Sequence, residues 1–322
     1  MTQSDFPSRH IVIAGGSGFL GRHLTAYLVD RGDRVTVLSR SPEPTDAAQR
    51  QENVTWRQWD AKTLGGWAET LEGADALVNY VGRSVDCRKT PENRRLILAS
   101  RVDSCRVLGE AVRQVQQPPP VWVQSATAHI VGDPVPEDAL CDESTPPGPR
   151  HELAPSVGVA WEQAFDEAKL PEQRGVKLRI SFVLGPGGGA MTRLAKLTKL
   201  GLGGTVGSGN QWISWIHVHD LNRLVDACIT DTSYEGVYMV TAPQPVTNRT
   251  FMCEMRKAYR RPWSPPAPAP AVRLASRLLL DTDPELALLG RRCVPTRLVE
   301  EHGFRFAFPE IEAALRDVAG NR

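Results

Sequence analysis

Residues 15–21 read GGSGFLG and stand between an apolar run, His10–Ala14 (HIVIA), and an amphipathic stretch, Phe19–Asp30. Glycine triplets are common in a chain with 27 Gly, but here a buried strand feeds the glycines and a helix leaves them. Gly15, Gly18 and Gly21 fall at GxxGxxG spacing. The first glycine lets the chain turn sharply. The second clears a path for backbone N–H groups to approach a pyrophosphate, and the third lets helix and strand pack closely. The pattern predicts a dinucleotide site lined by Gly15, Ser17, Gly18, Phe19, Leu20 and Gly21.

Apolar runs and helical patterns keep alternating beyond this turn. Strands are expected over His10–Ala14, Arg34–Leu38, Val54–Gln58, Ala76–Tyr80, Val121–Ser125 and Lys177–Leu184. Helices are expected near Leu20–Arg31, Leu64–Leu71, Pro91–Gln116 and Val157–Lys169. In the long one, Leu98, Val102, Cys105, Val112 and Val115 recur at the steps of one buried face. Such alternation implies an α/β fold, a Rossmann-like, doubly wound parallel sheet with right-handed crossovers.

After Leu184 the texture changes. GPGGG (185–189), GLGGTVGSGN (201–210) and RPWSPPAPAP (261–270) read as loops and turns of a smaller, mixed α/β lobe. Asp220–Thr230 and Gly236–Thr241 return as a helix and strand of the main sheet, and Ile311–Val318 forms a late helix. The expected division is residues 1–184 plus 218–241 for nucleotide binding and residues 185–217 plus 242–322 for a substrate lobe.

A net charge of +1 lacks the basic excess of a nucleic-acid or membrane-surface protein. No apolar run reaches the roughly 18 residues of a membrane span. The start, MTQSDFPSRH, carries no secretory h-region. The six cysteines (87, 105, 141, 228, 253, 293) are scattered without CxxC spacing, and no His/Cys cluster has zinc-ligand spacing. The expectation is a cytoplasmic globular protein, monomer or homodimer, that acts on a small molecule without nucleic acid, membrane or metal.

The end of the second strand selects the nicotinamide cofactor. A carboxylate there bonds the ribose 2′-hydroxyl of NAD, and a cation replaces it for NADP. The strand ends VTVLSRSP, which puts Ser39 and Arg40 at that place and no carboxylate. A guanidinium fork suits a 2′-phosphate and Ser39 can add a hydroxyl, so NADP(H) is expected. Asn79-Tyr80-Val81-Gly82 closes the fourth strand, where loops line the crevice, and Gly82 permits close backbone approach. Asp60, after the third strand, is placed either to accept from the adenine amino group or to cap the next helix.

These strings resemble the extended short-chain dehydrogenase/reductase superfamily in its nucleotide-sugar epimerase/dehydratase-like branch. More narrowly, they resemble an atypical epimerase subgroup with a C-terminal domain of unknown function. The resemblance rests on GGSGFLGRHL (15–24), TVLSR (36–40), LVNYVG (77–82), SRV (100–102), SAT (125–127), WEQA (161–164) and RISFVLGPGGG (179–189). It continues through GLGGTVGSGNQWISWIHVHDL (201–221) and CVPTRLVEEHGFRF (293–306), nearly the whole chain. It implies Ser39 and Arg40 at the 2′-phosphate, Tyr80 and Val81 beside the cofactor, Arg101 at its edge and Val183 at the nicotinamide end.

The superfamily's usual acid–base pair, a Tyr and a Lys four apart, is missing. Four residues beyond Tyr27, Tyr80, Tyr234, Tyr238 and Tyr259 lie Arg31, Ser84, Tyr238, Ala242 and Trp263. Aligning on Trp161-Glu162 puts Ala154 and Gly158 where that pair would sit. The subgroup usually has two tyrosines after the fifth strand, and this chain has His129 and Ile130. His129, with an ordinary pKa near 6.5, is the candidate general acid, and Ser125 the candidate polarising hydroxyl. His217 and His219 are too few for a metal site, and Arg88 is placed to meet an anionic group or solvent. The leading expectation is an NADP(H)-dependent oxidoreductase or epimerase-like enzyme for a small carbonyl or sugar-like substrate. The alternative is a non-catalytic NADP(H)-binding redox sensor. A nucleotide-sugar epimerase proper would be expected to retain NAD.

Overall fold

Five residues, HIVIA, form β1 (His10–Ala14), and four of them are buried because helices cover both faces of a parallel strand. The structure, a computed structural model, describes residues 7–41, 52–133, 136, 138–275 and 288–320. From β1 the chain enters α1 (Phe19–Asp30), then β2 (Arg34–Ser39), β3 (Val54–Gln58) and β4 (Ala76–Asn79). It continues through α2 (Pro91–Val112), β5 (Val121–Thr127), β6 (Leu140–Cys141), α3 (Leu153–Ala168), β7 (Arg174–Ile180) and β8 (Phe182–Leu184). Next come α4 (Gly189–Lys199), β9 (Trp212–Ile213), β10 (Trp215–His217), α5 (Val218–Thr230) and β11 (Gly236–Val240). The last elements are β12 (Val246–Thr247), α6 (Asn248–Ala258), the short helix Ala269–Ala275, β13 (Arg292–Cys293) and the helices Thr296–Glu300 and Ile311–Val318.

Seven strands build one sheet in the order β11-β7-β5-β4-β1-β2-β3, every neighbour parallel. The Rossmann-like, doubly wound architecture is thus present. Strand order reverses between β1 and β4, so a crevice opens where the loops after these strands diverge. One face is sealed by Leu24 and Leu28 of α1 with Leu221, Leu224 and Val225 of α5. The other is sealed by Cys105, Leu108 and Val112 of α2 with Trp161 and Phe165 of α3. Each fully buried leucine contributes on the order of 2 kcal/mol. A third cluster joins β8 and β10 to α4, α6 and Ile311–Val318. No described helix is long and apolar enough to cross a membrane.

Several elements differ from the sequence expectation. The strand expected over Lys177–Leu184 is two, because the N–H and hydroxyl of Ser181 both donate to Val240 O at 3.1 and 2.8 Å. That closes the pairing with β11, and β8 turns away to pair with β10. Leu98 is exposed, since the buried stripe of α2 runs instead through Ile97, Ser104, Cys105, Leu108 and Val112. The expected helix at Leu64–Leu71 is a 3-10 turn, Gly66–Leu71. Helices α4 and α6 lie between the glycine- and proline-rich strings read as loops, where no helix was expected. Flanking glycines hid α4, and α6 is announced only by the Thr247 hydroxyl, which accepts from Thr250 N–H.

Candidate functional site

The glycine turn is built by steric necessity. Gly15 has φ +78°, the left-handed region that only glycine enters freely. A Cβ on Gly16 would lie 2.8 Å from Val37 of β2, and one on Gly21 would lie 2.4 Å from Gly16 Cα. The turn therefore packs flat against β2 while α1 presses onto the turn. Gly16 was not singled out by the GxxGxxG spacing, and only the strand beneath explains it. At the start of α1, Gly18 supplies no capping side chain and the first turn holds no acid. The N–H groups and positive dipole end are left to an external anion. This cradle fits a dinucleotide pyrophosphate. Phe19 backs it, packed against the second glycine loop, where a Cβ on Gly188 would lie 2.4 Å from its ring. Arg22 donates to Ser17 O at 2.7 Å and to Gly187 O at 3.3 Å, joining that loop to the turn. Leu20 is half-buried beside it.

The loops after neighbouring strands meet this turn. Ser39 is buried, and its hydroxyl donates to Ser17 Oγ at 2.9 Å. Arg40 is exposed, anchored through its carbonyl, which accepts from Gln58 Nε2 at 3.2 Å. Asp60 organises its own turn. It accepts from the N–H groups of Lys62 and Thr63 and from the Thr63 hydroxyl, each at 2.8 Å, and these bonds hold its carboxyl below the usual range.

Beyond β4, Tyr80 N–H donates to Ala14 O at 2.9 Å, and a Cβ on Gly15 would lie 3.0 Å from the Tyr80 carbonyl carbon. Tyr80 thus brings backbone to the crevice. Its hydroxyl is buried without a partner among the described residues, and burial raises it above the ordinary phenol range. Val81 N–H donates to Asn79 Oδ1 at 3.0 Å. Gly82 leaves room for Arg101, whose guanidinium would be 3.2 Å from a Cβ there. Arg101 lies 4.9 Å over Trp161, donates to the carbonyls of Ile97 and Arg83, and makes no ion pair among the described residues. Burial lowers it to about 10. Val183 is buried in the core shared with Ile216 and Val218.

At the end of β5, Ser125 is buried and its hydroxyl donates to Asn79 O at 2.7 Å, so its proton is committed to joining β4 and β5. His129 sits in the 3-10 turn Ala128–Val131, with its N–H donating to Thr127 Oγ1. It does not have the ordinary pKa expected of it. Burial first, then the Arg291 guanidinium 2.9 Å from its Nδ1, push it down to about 3. Sequence reasoning missed Arg291, which lies 162 residues away from His129 in a stretch that carries no motif. The positions aligned with the missing Tyr and Lys, Ala154 and Gly158, lie on α3. The space above Gly158 is filled: a Cβ there would be 2.9 Å from Ile130 Cγ1 and 3.2 Å from Thr127 Cγ2.

His217 is buried at the N-cap of α5, where its Nδ1 accepts from His219 N–H at 3.2 Å. No group of three or more metal-ligating side chains gathers among the described residues. Trp215 is core, Trp212 stacks under Arg292 at 4.6 Å, and Arg88 is exposed.

Comparison with known proteins fits this geometry. Residues 11–240 match the model of the NAD dependent epimerase/dehydratase family, and residues 267–318 match a domain of unknown function, DUF1731. The chain is 32% identical over 317 residues to the epimerase family protein SDR39U1 of Bos taurus, spanning 96% of this chain and 99% of that one. It is 29% identical to the epimerase family protein YfhF of Bacillus subtilis (strain 168), spanning 97% and 99%. It is also similar to the crystal structure of human epimerase family protein SDR39U1 (isoform 2) with NADPH, with 30% identity and a TM-score of 0.82 over 97% of this chain and 100% of that one.

Proposed function

We propose, because the chain belongs to the NAD dependent epimerase/dehydratase family, that it is an NADP(H)-dependent oxidoreductase or epimerase-like enzyme for a small carbonyl or sugar-like substrate. One observation carries the cofactor choice: an exposed arginine, Arg40, follows β2 beside a glycine cradle whose helix has no cap and no first-turn acid. The NADPH bound to the human relative supports the same choice. In this reading residues 1–184 plus 218–241 bind the nucleotide, and residues 185–217 plus 242–322 form the substrate lobe. The protein works in the cytoplasm as a monomer or homodimer, with its cysteines as free thiols.

When bound, NADP(H) supplies a hydride to a carbonyl carbon or takes one from an alcohol. The chain's own residues bind and orient. The turn of Gly15, Ser17, Gly18, Phe19, Leu20 and Gly21 receives the pyrophosphate, and Arg40 with Ser39 receives the 2′-phosphate. Asp60 receives the adenine amino group through a lone pair not used in its turn. Tyr80, Val81 and Gly82 offer backbone, Arg101 a cation at the edge, and Val183 an apolar wall. Ser125 and His129 stand at the chemical end. Ser125 polarises a substrate oxygen by exchanging its bond to Asn79 O for one to that oxygen. His129, neutral at pH 7, donates a hydrogen bond, and water supplies the proton.

A second reading is a redox sensor that binds NADP(H) without turnover. The filled space above Gly158 favours it, since no side chain stands where the superfamily's lysine would lower a phenol's pKa. Thermal unfolding with NADPH and NADH tests the shared cofactor claim, because a ligand selective for the native state stabilises by mass action. NADPH is expected to raise Tm well beyond equal NADH, and equal protection would remove the basis for Arg40 as the phosphate anchor. NADPH consumption across small aldehydes and ketones then separates the readings. Turnover means an enzyme, and binding without turnover means a sensor.

A further inference from the structure

The segment leading into β13 approaches the site from the far end of the chain and is held there at several points. A Cβ on Gly290 would lie 2.0 Å from Trp212 O, so only glycine lets the segment press so closely on that strand. Ser214 Oγ donates to Arg291 O at 2.7 Å and accepts from Cys293 N–H at 2.8 Å. β13 pairs with β6, setting Cys293 opposite Cys141. Arg291, thus fixed and buried, reaches the turn after β5. Its Nε donates to Gly132 O at 2.6 Å, one terminal nitrogen to Asp133 Oδ1, and the other meets His129 Nδ1 at 2.9 Å.

We propose that Arg291 is a positioning residue that holds His129 as the neutral tautomer protonated on Nε2, so that the site presents a fixed hydrogen-bond donor rather than a titrating acid. The donor inventory decides the tautomer. A guanidinium carries N–H groups and no acceptor, so the Nδ1 atom that meets it must be a lone pair. The ring proton of the neutral imidazole is then on Nε2. A doubly protonated ring would set N–H against N–H and cation against cation at 2.9 Å. The bonds to Gly132 O and Asp133 fix the fork, and the fork fixes the ring. The segment that the family model of a domain of unknown function matches, residues 267–318, thereby acquires a role through its described residues from 288 on, the delivery of this arginine. Around the pair, Asp133 faces Arg291, Glu152 lies across Gly132, and the Cys141 and Cys293 thiols lie near Arg291. That the donor serves a substrate oxygen rests on the reading in the preceding section, whereas the tautomer does not.

The test is nitrogen-15 NMR of the imidazole in the full-length, labelled chain. In the unsubstituted protein, His129 is expected to show an unprotonated Nδ1 and a protonated Nε2, unchanged from pH 8 to pH 5. A protonated Nδ1, or a midpoint near 6.5, would overturn the proposal without any variant. Arg291→Met is expected to mix the tautomers and raise the His129 midpoint by more than one pH unit. Arg291→Lys, which keeps a cationic donor, is expected to restore the Nε2–H form. An Arg291→Met spectrum identical to that of the unsubstituted chain would also overturn it. NADPH protection measured on the same samples keeps the two claims apart. Lost NADPH binding with the locked tautomer intact defeats the functional reading alone.

Discussion

Ile130 packs over Gly158 so closely that a Cβ on the glycine would lie 2.9 Å from its Cγ1 and 3.0 Å from its Cβ. The turn after β5 therefore rests directly on α3, at the position aligned with the superfamily's lysine. Alanine at 158 would gain about 1 kcal/mol of helix propensity and lose about 1–3 kcal/mol to overpacking. Gly158→Ala is expected to destabilise the chain by about 1 kcal/mol, and Ile130→Ala in the same chain to relieve that added cost. Urea unfolding of the two single variants and the double variant checks this. Additive effects would mean that the contact is not what excludes a side chain.

Gly21 meets a harder boundary, because its neighbours are backbone. A Cβ there would stand 2.4 Å from Gly16 Cα and 2.6 Å from the carbonyl oxygens of Gly15 and Gly16. The turn has to move for the chain to accept one. Gly21→Ala is expected to cost about 1–3 kcal/mol and to abolish the thermal protection given by NADPH. Gly18→Ala, with only Gly15 O at 3.2 Å from its Cβ, is expected to fold nearly as well as the parent. Unfolding and NADPH protection measured in parallel distinguish the two, and equal behaviour would refute a backbone clash at Gly21.

What could be read from the sequence follows from locality. The β1 turn declares itself because an apolar strand, three spaced glycines and an amphipathic helix are contiguous. The parallel sheet follows from the repeated alternation. The break at Ser181 is hidden, because nothing in RISFVLG tells that Ser181 will donate twice to Val240, 59 residues on. The same holds for Arg291, whose meaning lies in the turn it reaches across the fold. His129 shows the limit for chemistry: its type suggests an acid near neutrality, while its enclosure and an arginine from another segment make it neutral. Periodicity encodes burial within one element, and long-range polar pairing leaves no periodic trace.

Arg40 is exposed, so its replacement removes charge without opening a cavity. A charge-assisted, two-pronged contact to a phosphate contributes on the order of 2 kcal/mol, about 30-fold in Kd. Arg40→Ala is expected to weaken NADPH by about that factor, leave NADH nearly unchanged, and shift Tm without ligand negligibly. Titrations of both nucleotides measure it. An unchanged NADPH-to-NADH ratio would exclude Arg40 from the site.

His217 sets an acid limit to stability. Its Nδ1 caps α5, its ring lies 3.9 Å from that of Phe308, and its Nε2 faces Asp317 Oδ2 at 3.3 Å. Burial outweighs the attraction of Asp317 and Asp220 and lowers it to about 4. Between pH 6.5 and 4 the unfolded chain therefore binds a proton at this residue that the native chain does not. Its contribution is fully present above pH 6.5 and is lost as pH falls through that window, at up to about 1.4 kcal/mol per pH unit. His129, lowered to about 3, adds a slope of the same sign. Asparagine can accept at an N-cap but does not titrate. His217→Asn is expected to keep α5 intact and to reduce the slope of unfolding free energy against pH by about one proton's worth between pH 4 and 6.5. Urea unfolding at half-unit pH steps measures that slope, and an unchanged slope would mean that His217 protonates alike in the folded and unfolded chain.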